Sequence, residues 1–253
     1  MPEKNKIGEK IKNIMELKEL SAEEVAKFSG VHLEIVPQTN DWNLLNQRTK
    51  DLWAKKTAYQ RNNDEISPEE FYHERAGIMA EFGKIICISC GIVVNENYIH
   101  VKSFYGDDEE KILNDFNQML KDNYYKPDHI LCAHNGKEFD FPYIARRMLI
   151  NQIEIPKILQ LFGKKPWEIP HLDTMELWKF GDYKNYTSLD LLANVFDIET
   201  PKNDIDGSQV AQVYYDENNL ERIKDYCEKD VITLINIFRK MRYESILYRK
   251  EDL

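Results

Sequence analysis

A short apolar run, followed at once by a turn and a helical pattern, constrains the fold of this chain more than any other feature. The run is His129-Ile-Leu-Cys-Ala-His134, and Glu138 to Asn151 has the spacing of a helix. A short apolar run bounded by turn residues predicts a buried strand. Upstream, Lys84 to Val94 and Tyr98 to Phe104 predict two more strands, and Asp107 to Asn123 predicts a helix. Strands that alternate with helices predict an α/β domain with a mixed sheet flanked by helices.

The residues before these strands have a less regular pattern. Val31 to Val36 predicts a short first strand, which Gly30 weakens, and Asp41 to Phe82 is a polar insertion with helical spacing. We therefore predict a helical extension over residues 1–30, one domain over 31–243 and a tail over 244–253.

The extension contains a pattern that is similar to a DNA-binding motif. Residues 7–31 resemble the first two helices of a phage-repressor-type helix-turn-helix, with Ser21 and Glu24 as a capping box. The recognition helix that would enter a major groove does not follow in the sequence. An amphipathic helical cap on the main domain is therefore favoured over sequence-specific DNA binding.

The charge balance limits which nucleic-acid proteins this chain can resemble. Its 44 Asp and Glu residues outnumber its 34 Lys and Arg residues, for a formal net charge of −10. Proteins that coat nucleic acid neutralise phosphates with a basic surface, so this class is disfavoured. A metal-dependent nuclease stays compatible, because bound divalent cations supply positive charge where the phosphate lies.

The apolar segments give an expectation about location. No apolar run approaches the roughly 20 residues that a membrane span needs. Met1 to Lys12 is rich in lysine and lacks the apolar region of a signal peptide. We expect a cytoplasmic protein with no membrane partner.

Two of the four cysteines, Cys87 and Cys90, have the spacing of a zinc or redox motif. They lie inside a predicted strand, where residues three apart point to opposite faces. Reduced thiols within the core are therefore favoured over a zinc or redox site.

Two segments place polar side chains where chemistry is possible. In the first, an apolar strand ends at His134, turns through Asn135 and Gly136, and brings Asp140 into the first turn of a helix. That position lies at the carboxyl edge of the sheet, where ligands of α/β proteins bind. Asp140 taken alone can equally be an ordinary residue at a helix start.

The second segment lies within a long helical pattern near the end of the chain. Tyr226 and Asp230 are four residues apart and therefore adjacent on one helix face, at the edge of an apolar stripe. A carboxylate can hold a metal ion while a phenol one turn earlier orients a water molecule. A half-buried tyrosine beside a surface aspartate would have the same spacing.

Taken together, the two segments resemble motifs of a known group of enzymes. Asn135-x-x-x-Phe139-Asp140, followed by Tyr226-x-x-x-Asp230, resembles the second and third motifs of the DEDD 3′–5′ exonucleases in their tyrosine variant. These motifs imply that Asn135 and Phe139 lie at the substrate.

Further segments narrow the resemblance. Val36-Pro37-Gln38 and Glu81 to Ser89 are similar to a bacterial family of predicted 3′–5′ exonucleases, related to the proofreading domain of family B DNA polymerases. The resemblance covers Val31 to Met241 and implies a ribonuclease-H-like fold. Its implied substrate is the 3′ end of single-stranded DNA or RNA, with DNA favoured.

The resemblance also implies a mechanism with two divalent cations, Mg²⁺ or Mn²⁺, about 3.5–4 Å apart at the scissile phosphate. Asp140 and Asp230 would be metal ligands together with Glu34, and Tyr226 would position the attacking water. Carboxylates suit this role because these hard cations prefer oxygen ligands.

The first motif departs from the family pattern. The family has Asp-x-Glu there, whereas this chain has His32-Leu33-Glu34. His32 as a ligand offers one nitrogen without negative charge, which suits Mn²⁺ or Zn²⁺ better than Mg²⁺. We expect activity that is weak, Mn²⁺-preferring or absent. Three accounts follow: an impaired exonuclease, a non-catalytic nucleic-acid-binding module, and an interaction protein acting through its N-terminal helices.

Other side chains are secondary candidates. Asp173 ends a short apolar stretch at the expected edge of the sheet, where metal binding and a structural or substrate-positioning role are both open. Lys137, Arg146 and Arg147 can contact phosphates or form a solvated helix face.

Overall fold

The computed structural model describes residues 28–62, 65–182, 184, 186–198 and 205–252. The helix-turn-helix-like segment therefore lies outside the described residues, apart from its last four, which are strand.

Five strands form one mixed sheet in the order β3-β2-β1-β4-β5. The strands are β1 (Phe28–Pro37), β2 (Gly83–Val94), β3 (Tyr98–Tyr105), β4 (Ile130–Ala133) and β5 (Leu172–Asp173). β1 pairs antiparallel with β2 and parallel with β4, so the predicted mixed sheet is confirmed. Because β1, β4 and β5 run in the same direction, their carboxyl ends meet at one edge.

The described residues form eight α-helices, four between strands and four after β5. They are α1 (Gln47–Thr57), α2 (Pro68–Arg75), α3 (Glu109–Asn123), α4 (Asp140–Ile150), α5 (Thr174–Lys179), α6 (Leu189–Val195), α7 (Val210–Tyr215) and α8 (Leu220–Met241). Helices α3 and α4 cover one face of the sheet, and α7 and α8 cover the other. None of the helices in the described part of the chain is long and apolar enough to cross a membrane.

Helix α8 packs unusually close to the middle of the sheet. Gly30 of β1 and Gly91 of β2 are cross-strand neighbours beneath it. A Cβ atom at Gly91 would lie 2.6 Å from Cγ1 of Val231 and 2.9 Å from Cδ1 of Ile235. A Cβ atom at Gly30 would lie 3.0 Å from Cγ1 of Ile235, so Gly30 also lies directly under the helix. The contact fixes α8 against β1 and so determines where the side chains of α8 reach the sheet edge.

The predicted polar insertion folds as a small unit beside the sheet. Helices α1 and α2 enclose a cluster of aromatic side chains around Trp53, whose indole N–H donates to the carbonyl of Pro68 at 2.7 Å. The phenol of Tyr143 on α4 donates to the carbonyl of Gly77 at 2.6 Å. This bond ties the end of the insertion to α4.

Two observations concern the predicted boundaries between the extension, the domain and the tail. β1 begins at Phe28, so residues 28–30 are strand. At the other end, the amide of Ile99 in β3 donates to the carbonyl of Tyr248 at 2.8 Å, and Arg249 pairs with Glu228 of α8 at 2.6 Å. Residues 244–252 therefore lie against the sheet and α8.

The four cysteines are buried free thiols. Cys90 belongs to the core beneath α3 and α4, whereas Cys87 belongs to the core beneath α7 and α8. The strand geometry therefore separates the two thiols onto opposite faces, as the sequence predicts.

Candidate active site

Four polar side chains from three elements converge near the carboxyl edge of the sheet. The His32 ring of β1 is at the centre. Its Nε2 lies 3.2 Å from Oε1 of Glu34 and 3.4 Å from Oδ2 of Asp230, and its Nδ1 lies 3.9 Å from Oδ1 of Asp140. The structure thus brings together the residues that the sequence predicted for the centre of the site.

The local form of β1 explains why His32 and Glu34 share a face. Residues two apart on a strand point the same way, here toward α8. The register with β2 shifts directly after Glu34, where Cys87 is its partner and Ile85 is the partner of Ile35. The extra residue lies in β2, so this bulge bends β2 and re-aims nearby side chains. The thiol of Cys227 on α8 lies 3.5 Å from the carbonyl of His32, which marks how closely the helix approaches.

Asp140 reaches the centre because the chain turns sharply between β4 and α4. Asn135 has φ +61°, in the left-handed region that asparagine tolerates better than most residues. A Cβ atom at Gly136 would lie 2.2 Å from the Cβ of Ala133, so only glycine fits there. Phe139 follows with its ring 5.5 Å from the ring of Tyr143, measured between centroids. The turn places Asp140, the first residue of α4, over the end of the sheet.

Asp173 holds this turn in place. Its carboxylate accepts hydrogen bonds from the amides of Asn135 at 2.9 Å and Lys137 at 3.1 Å. The same carboxylate accepts from the amides of Met175 at 3.0 Å and Glu176 at 3.2 Å, which caps α5. Four backbone donors therefore occupy the two oxygens, and the geometry favours a positioning role for Asp173 over metal ligation.

Tyr226 and Asp230 extend from α8 toward β1. The two side chains are hydrogen-bonded to each other, as residues one turn apart on a helix can be. Burial, followed by the negative charges of Asp230 and Glu34, raises the pKa of Tyr226. Its phenol therefore stays protonated at neutral pH and acts as a donor.

The three carboxylates of the site are harder to ionise than free ones. Burial raises the pKa of Asp140 to about 7, although its position at a helix start and the nearby His32 favour the charged form. Burial also raises the pKa of Glu34 and of Asp230, in both cases against an opposing effect of His32. Loss of hydration is thus the larger effect at all three carboxylates.

The pKa of His32 is raised as well, but for an imidazole this favours the charged form. Burial by itself would lower its pKa, but the hydrogen bond to Glu34 and the negative charges of Asp230 and Glu34 outweigh this effect. The pKa of His32 is therefore raised well above its ordinary value. One imidazolium still faces three carboxylates, so the site lacks positive charge when all of these groups are ionised.

The donor atoms can surround one cation. One ligand atom each from His32, Glu34 and Asp230 lie within 4.8 Å of one another, while Asp140 stands outside this group. Bridging two ions normally needs a carboxylate with two oxygens at the shared position, and an imidazole cannot do this. The donor atoms of His32, Glu34 and Asp230 thus offer a place for one divalent cation, and His32 lacks the second oxygen that a position shared by two ions needs.

Some contacts around the site have no signal in the sequence. His134 spans two segments, with Nδ1 lying 2.8 Å from Oγ1 of Thr174 and Nε2 lying 2.8 Å from the carbonyl of Thr187. Only its place directly before Asn135 could have suggested a role, since both partners come from distant parts of the chain.

Lys137 and Arg147, two of the side chains predicted as possible phosphate contacts, form ion pairs within the protein. Lys137 pairs with Glu176 at 2.7 Å, which joins the turn before α4 to α5. Arg147 is buried and pairs with Glu109 of α3, so it forms neither a phosphate contact nor a solvated helix face. Helical spacing placed Arg147 on α4 but could not show which neighbour covers it.

A comparison with known protein families shows which family the chain belongs to. The profile of a family described as predicted 3′-5′ exonuclease related to the exonuclease domain of PolB matches residues 78–250, more than half of the chain. The chain belongs to this family. The matched range contains Asp140, Tyr226 and Asp230 and begins after His32 and Glu34. β1, which carries His32 and Glu34, is the middle strand of the sheet.

A solved structure shows the same fold. The family B DNA polymerase from the hyperthermophilic archaeon Pyrobaculum calidifontis matches with a TM-score of 0.52 and 14% sequence identity, over 85% of this chain and 24% of the polymerase chain. The chain thus spans about a quarter of the polymerase's length. At this identity the likeness concerns the fold alone, and it confirms the predicted ribonuclease-H-like α/β architecture. No curated protein matches the chain.

Proposed function

We propose that this member of the PolB-related family is a 3′–5′ exonuclease that acts on single-stranded DNA with one divalent cation held by His32, Glu34 and Asp230. The observation that carries the proposal is the convergence of these three side chains with Asp140 and Tyr226 at one sheet edge. Carboxylates that outnumber the cations around them at one sheet edge can hold a cation from outside.

The chemistry of the donors favours Mn²⁺ over Mg²⁺. Mg²⁺ strongly prefers oxygen ligands, whereas Mn²⁺ also accepts an imidazole nitrogen. Ligation requires neutral His32, so a cation must displace the proton that the surrounding carboxylates favour. We therefore expect weaker cation binding and slower turnover than at a site with four carboxylates.

Each side chain has a separate part in this proposal. The bound cation would stabilise negative charge on the scissile phosphate. The Tyr226 phenol, held protonated with its O–H toward Asp230, has an oxygen that can accept a hydrogen bond from the attacking water and so orient it. Asp140 adds negative charge at the opposite nitrogen of His32. Asp173 keeps the turn before Asp140 in position through its four backbone contacts.

One observation favours a second candidate, a nucleic-acid-binding module without catalysis. The His32 ring already lies among the three carboxylates and supplies part of the positive charge that metal ions would provide. If the charge of His32 already offsets that of the carboxylates, the site gains less free energy from binding a cation. The two candidates predict different behaviour of a His32→Asp variant.

The test is degradation of a 5′-labelled single-stranded oligonucleotide in Mn²⁺ and in Mg²⁺. We expect a ladder that shortens from the 3′ end, stronger in Mn²⁺, and reduced on the order of 10²–10³-fold in Asp140→Asn. Asp115→Asn is the matched control, because Asp115 lies exposed on α3 and pairs with Lys111. This variant should keep full activity.

His32→Asp separates the candidates. The exonuclease proposal expects its Mg²⁺-dependent rate to exceed that of the unaltered chain by at least about tenfold, because a carboxylate can bridge ions. Oligonucleotide binding without cleavage by either protein, in both metals, would favour the non-catalytic module. Internal cuts that do not depend on a free 3′ end would contradict both.

A further inference from the structure

Two large aromatic side chains point into solvent on the segment that follows α5. Phe180 is 81% exposed and Tyr186 is 64% exposed. Phe180 also has φ +44° and ψ +31°, a left-handed conformation that costs a non-glycine residue stability. An exposed phenylalanine in a strained backbone adds little to a core. Such strain is often retained at places that bind a ligand.

The neighbouring Trp178 shows what a core aromatic does in the same segment. Its ring packs edge-on against Phe196 at 5.6 Å between centroids. Within three residues the chain thus turns one aromatic ring inward and the next outward. The outward ring of Phe180 is left for contacts from outside the described residues.

The segment is attached to the candidate active site at both ends. At its start, Glu176 pairs with Lys137 in the turn before Asp140. At its end, the carbonyl of Thr187, directly after Tyr186, lies 2.8 Å from Nε2 of His134. His134 in turn is close enough to Asp230 and His32 for their charges to influence its pKa, which burial lowers. The segment that carries Phe180 and Tyr186 is therefore tied at both ends to residues next to the site.

A lysine lies beside the two exposed aromatic residues, Phe180 and Tyr186. The ammonium of Lys179 lies 4.1 Å from the centroid of the Tyr186 ring, within the range of a cation–π contact. The contact steadies the exposed ring and puts positive charge beside it. Aromatic faces that stack on bases, together with cations for the backbone, are how proteins hold single strands without reading sequence.

We propose that Phe180 and Tyr186 form a stacking platform for the unpaired bases of a DNA strand whose 3′ end enters the site. This inference rests on the proposed function and names its substrate-binding residues. The platform accepts any base, because every base has a π face. Paired bases are already stacked on their neighbours, so the platform selects single strands over duplexes.

Binding of a labelled dT12 strand tests the platform in the full chain carrying Asp140→Asn, which suppresses cleavage. Phe180→Ala and Tyr186→Ala should each weaken binding by roughly 5- to 150-fold, the range for loss of one base–aromatic stack. Tyr186→Phe keeps the ring and should bind normally. Phe162→Ala is the matched control, since Phe162 is 73% exposed in the connection that precedes β5.

Two further measurements separate stacking from charge and from misfolding. An abasic strand of equal length should bind all variants equally, because it keeps the phosphates and lacks the bases. Phe180→Gly relieves the left-handed strain, so it should unfold at a higher urea concentration than the parent yet bind dT12 as weakly as Phe180→Ala.

The outcomes distinguish this proposal from the proposed function. Unchanged dT12 affinity in Phe180→Ala and Tyr186→Ala, or no dT12 binding by the parent, would overturn the platform whatever the cleavage assay shows. Weaker binding in both ring-removing variants, with no cleavage by the catalytically intact chain, would support the platform and contradict the exonuclease.

Discussion

Two buried groups of charged side chains in this protein balance their charges in different ways. One joins α3 to α4, where Glu109 accepts hydrogen bonds from Arg147, from the amide of Ile85 at 2.7 Å and from Asn151 at 3.1 Å. Arg147 also donates to the carbonyl of Ala80 at 2.8 Å. In this joint, one carboxylate meets one guanidinium, and neighbouring donors and acceptors satisfy what is left.

The candidate active site has the opposite balance. Three buried or half-buried carboxylates share the single ring of His32, and the pKa of each carboxylate is raised by burial. Burial of charge is therefore not by itself a sign of function. Buried acids that outnumber their cations indicate a place for a cation from outside, whereas matched charges indicate a structural joint.

The largest expected effect would come from breaking the structural joint. Arg147→Met leaves Glu109 buried without its cation, so we expect a loss of about 3–5 kcal/mol in the free energy of unfolding. Urea denaturation measures it. A loss below about 1 kcal/mol would mean that the pairing of Arg147 with Glu109 contributes little to the free energy of unfolding, which would contradict its structural role.

Removing one charge from the site should act in the opposite direction. Asp140→Asn removes a carboxylate whose folded pKa is about 7, against 3.8 for an unperturbed group. Because the raised pKa penalises the ionised folded state, the variant should be more stable by about 2–3 kcal/mol at pH 8 without metal, the buried amide offsetting part of the gain.

The same pKa gives the sign of a pH dependence. Between about pH 4 and pH 7 the folded state holds the Asp140 proton that the unfolded state releases, so the metal-free parent should lose stability as pH rises through this range. The advantage of Asp140→Asn should therefore shrink steadily from pH 8 toward pH 4. An advantage independent of pH, measured in urea, would contradict the assignment of unbalanced charge to Asp140.

A smaller effect is expected from added metal. Mn²⁺ at about 10 times its dissociation constant should stabilise the parent by about 1.4 kcal/mol, because it binds the folded state alone. Thermal unfolding should show this shift in the parent and in Asp115→Asn, but not in Asp230→Asn. An equal shift in Asp230→Asn would place the cation elsewhere.

The sequence predicted most of the fold because its signals are local. The continuous apolar run of β2 and the apolar stripe of α8 each follow from the spacing of neighbouring residues, and the structure agrees with both. Tyr226 and Asp230 were found for the same reason, since their four-residue spacing is a property of one helix.

What the sequence could not show depends on contacts between distant segments. Arg147 has the spacing of an exposed helix residue, but α3 covers it with Glu109. Gly30 suggested a weak strand because nothing local reveals that α8 packs onto it. The turn held by Asp173 and the link through His134 likewise join residues about 40 to 50 positions apart.

The most direct test of the account is the number of Mn²⁺ ions that the metal-free chain binds, measured by calorimetric titration at neutral pH. The account predicts one ion per chain, with binding lost in Asp230→Asn and kept in Asp115→Asn. His32→Asp, which restores a bridging carboxylate, should bind two. No Mn²⁺ binding by the parent, or binding unchanged in Asp230→Asn, would contradict the claim that His32, Glu34 and Asp230 form a cation site.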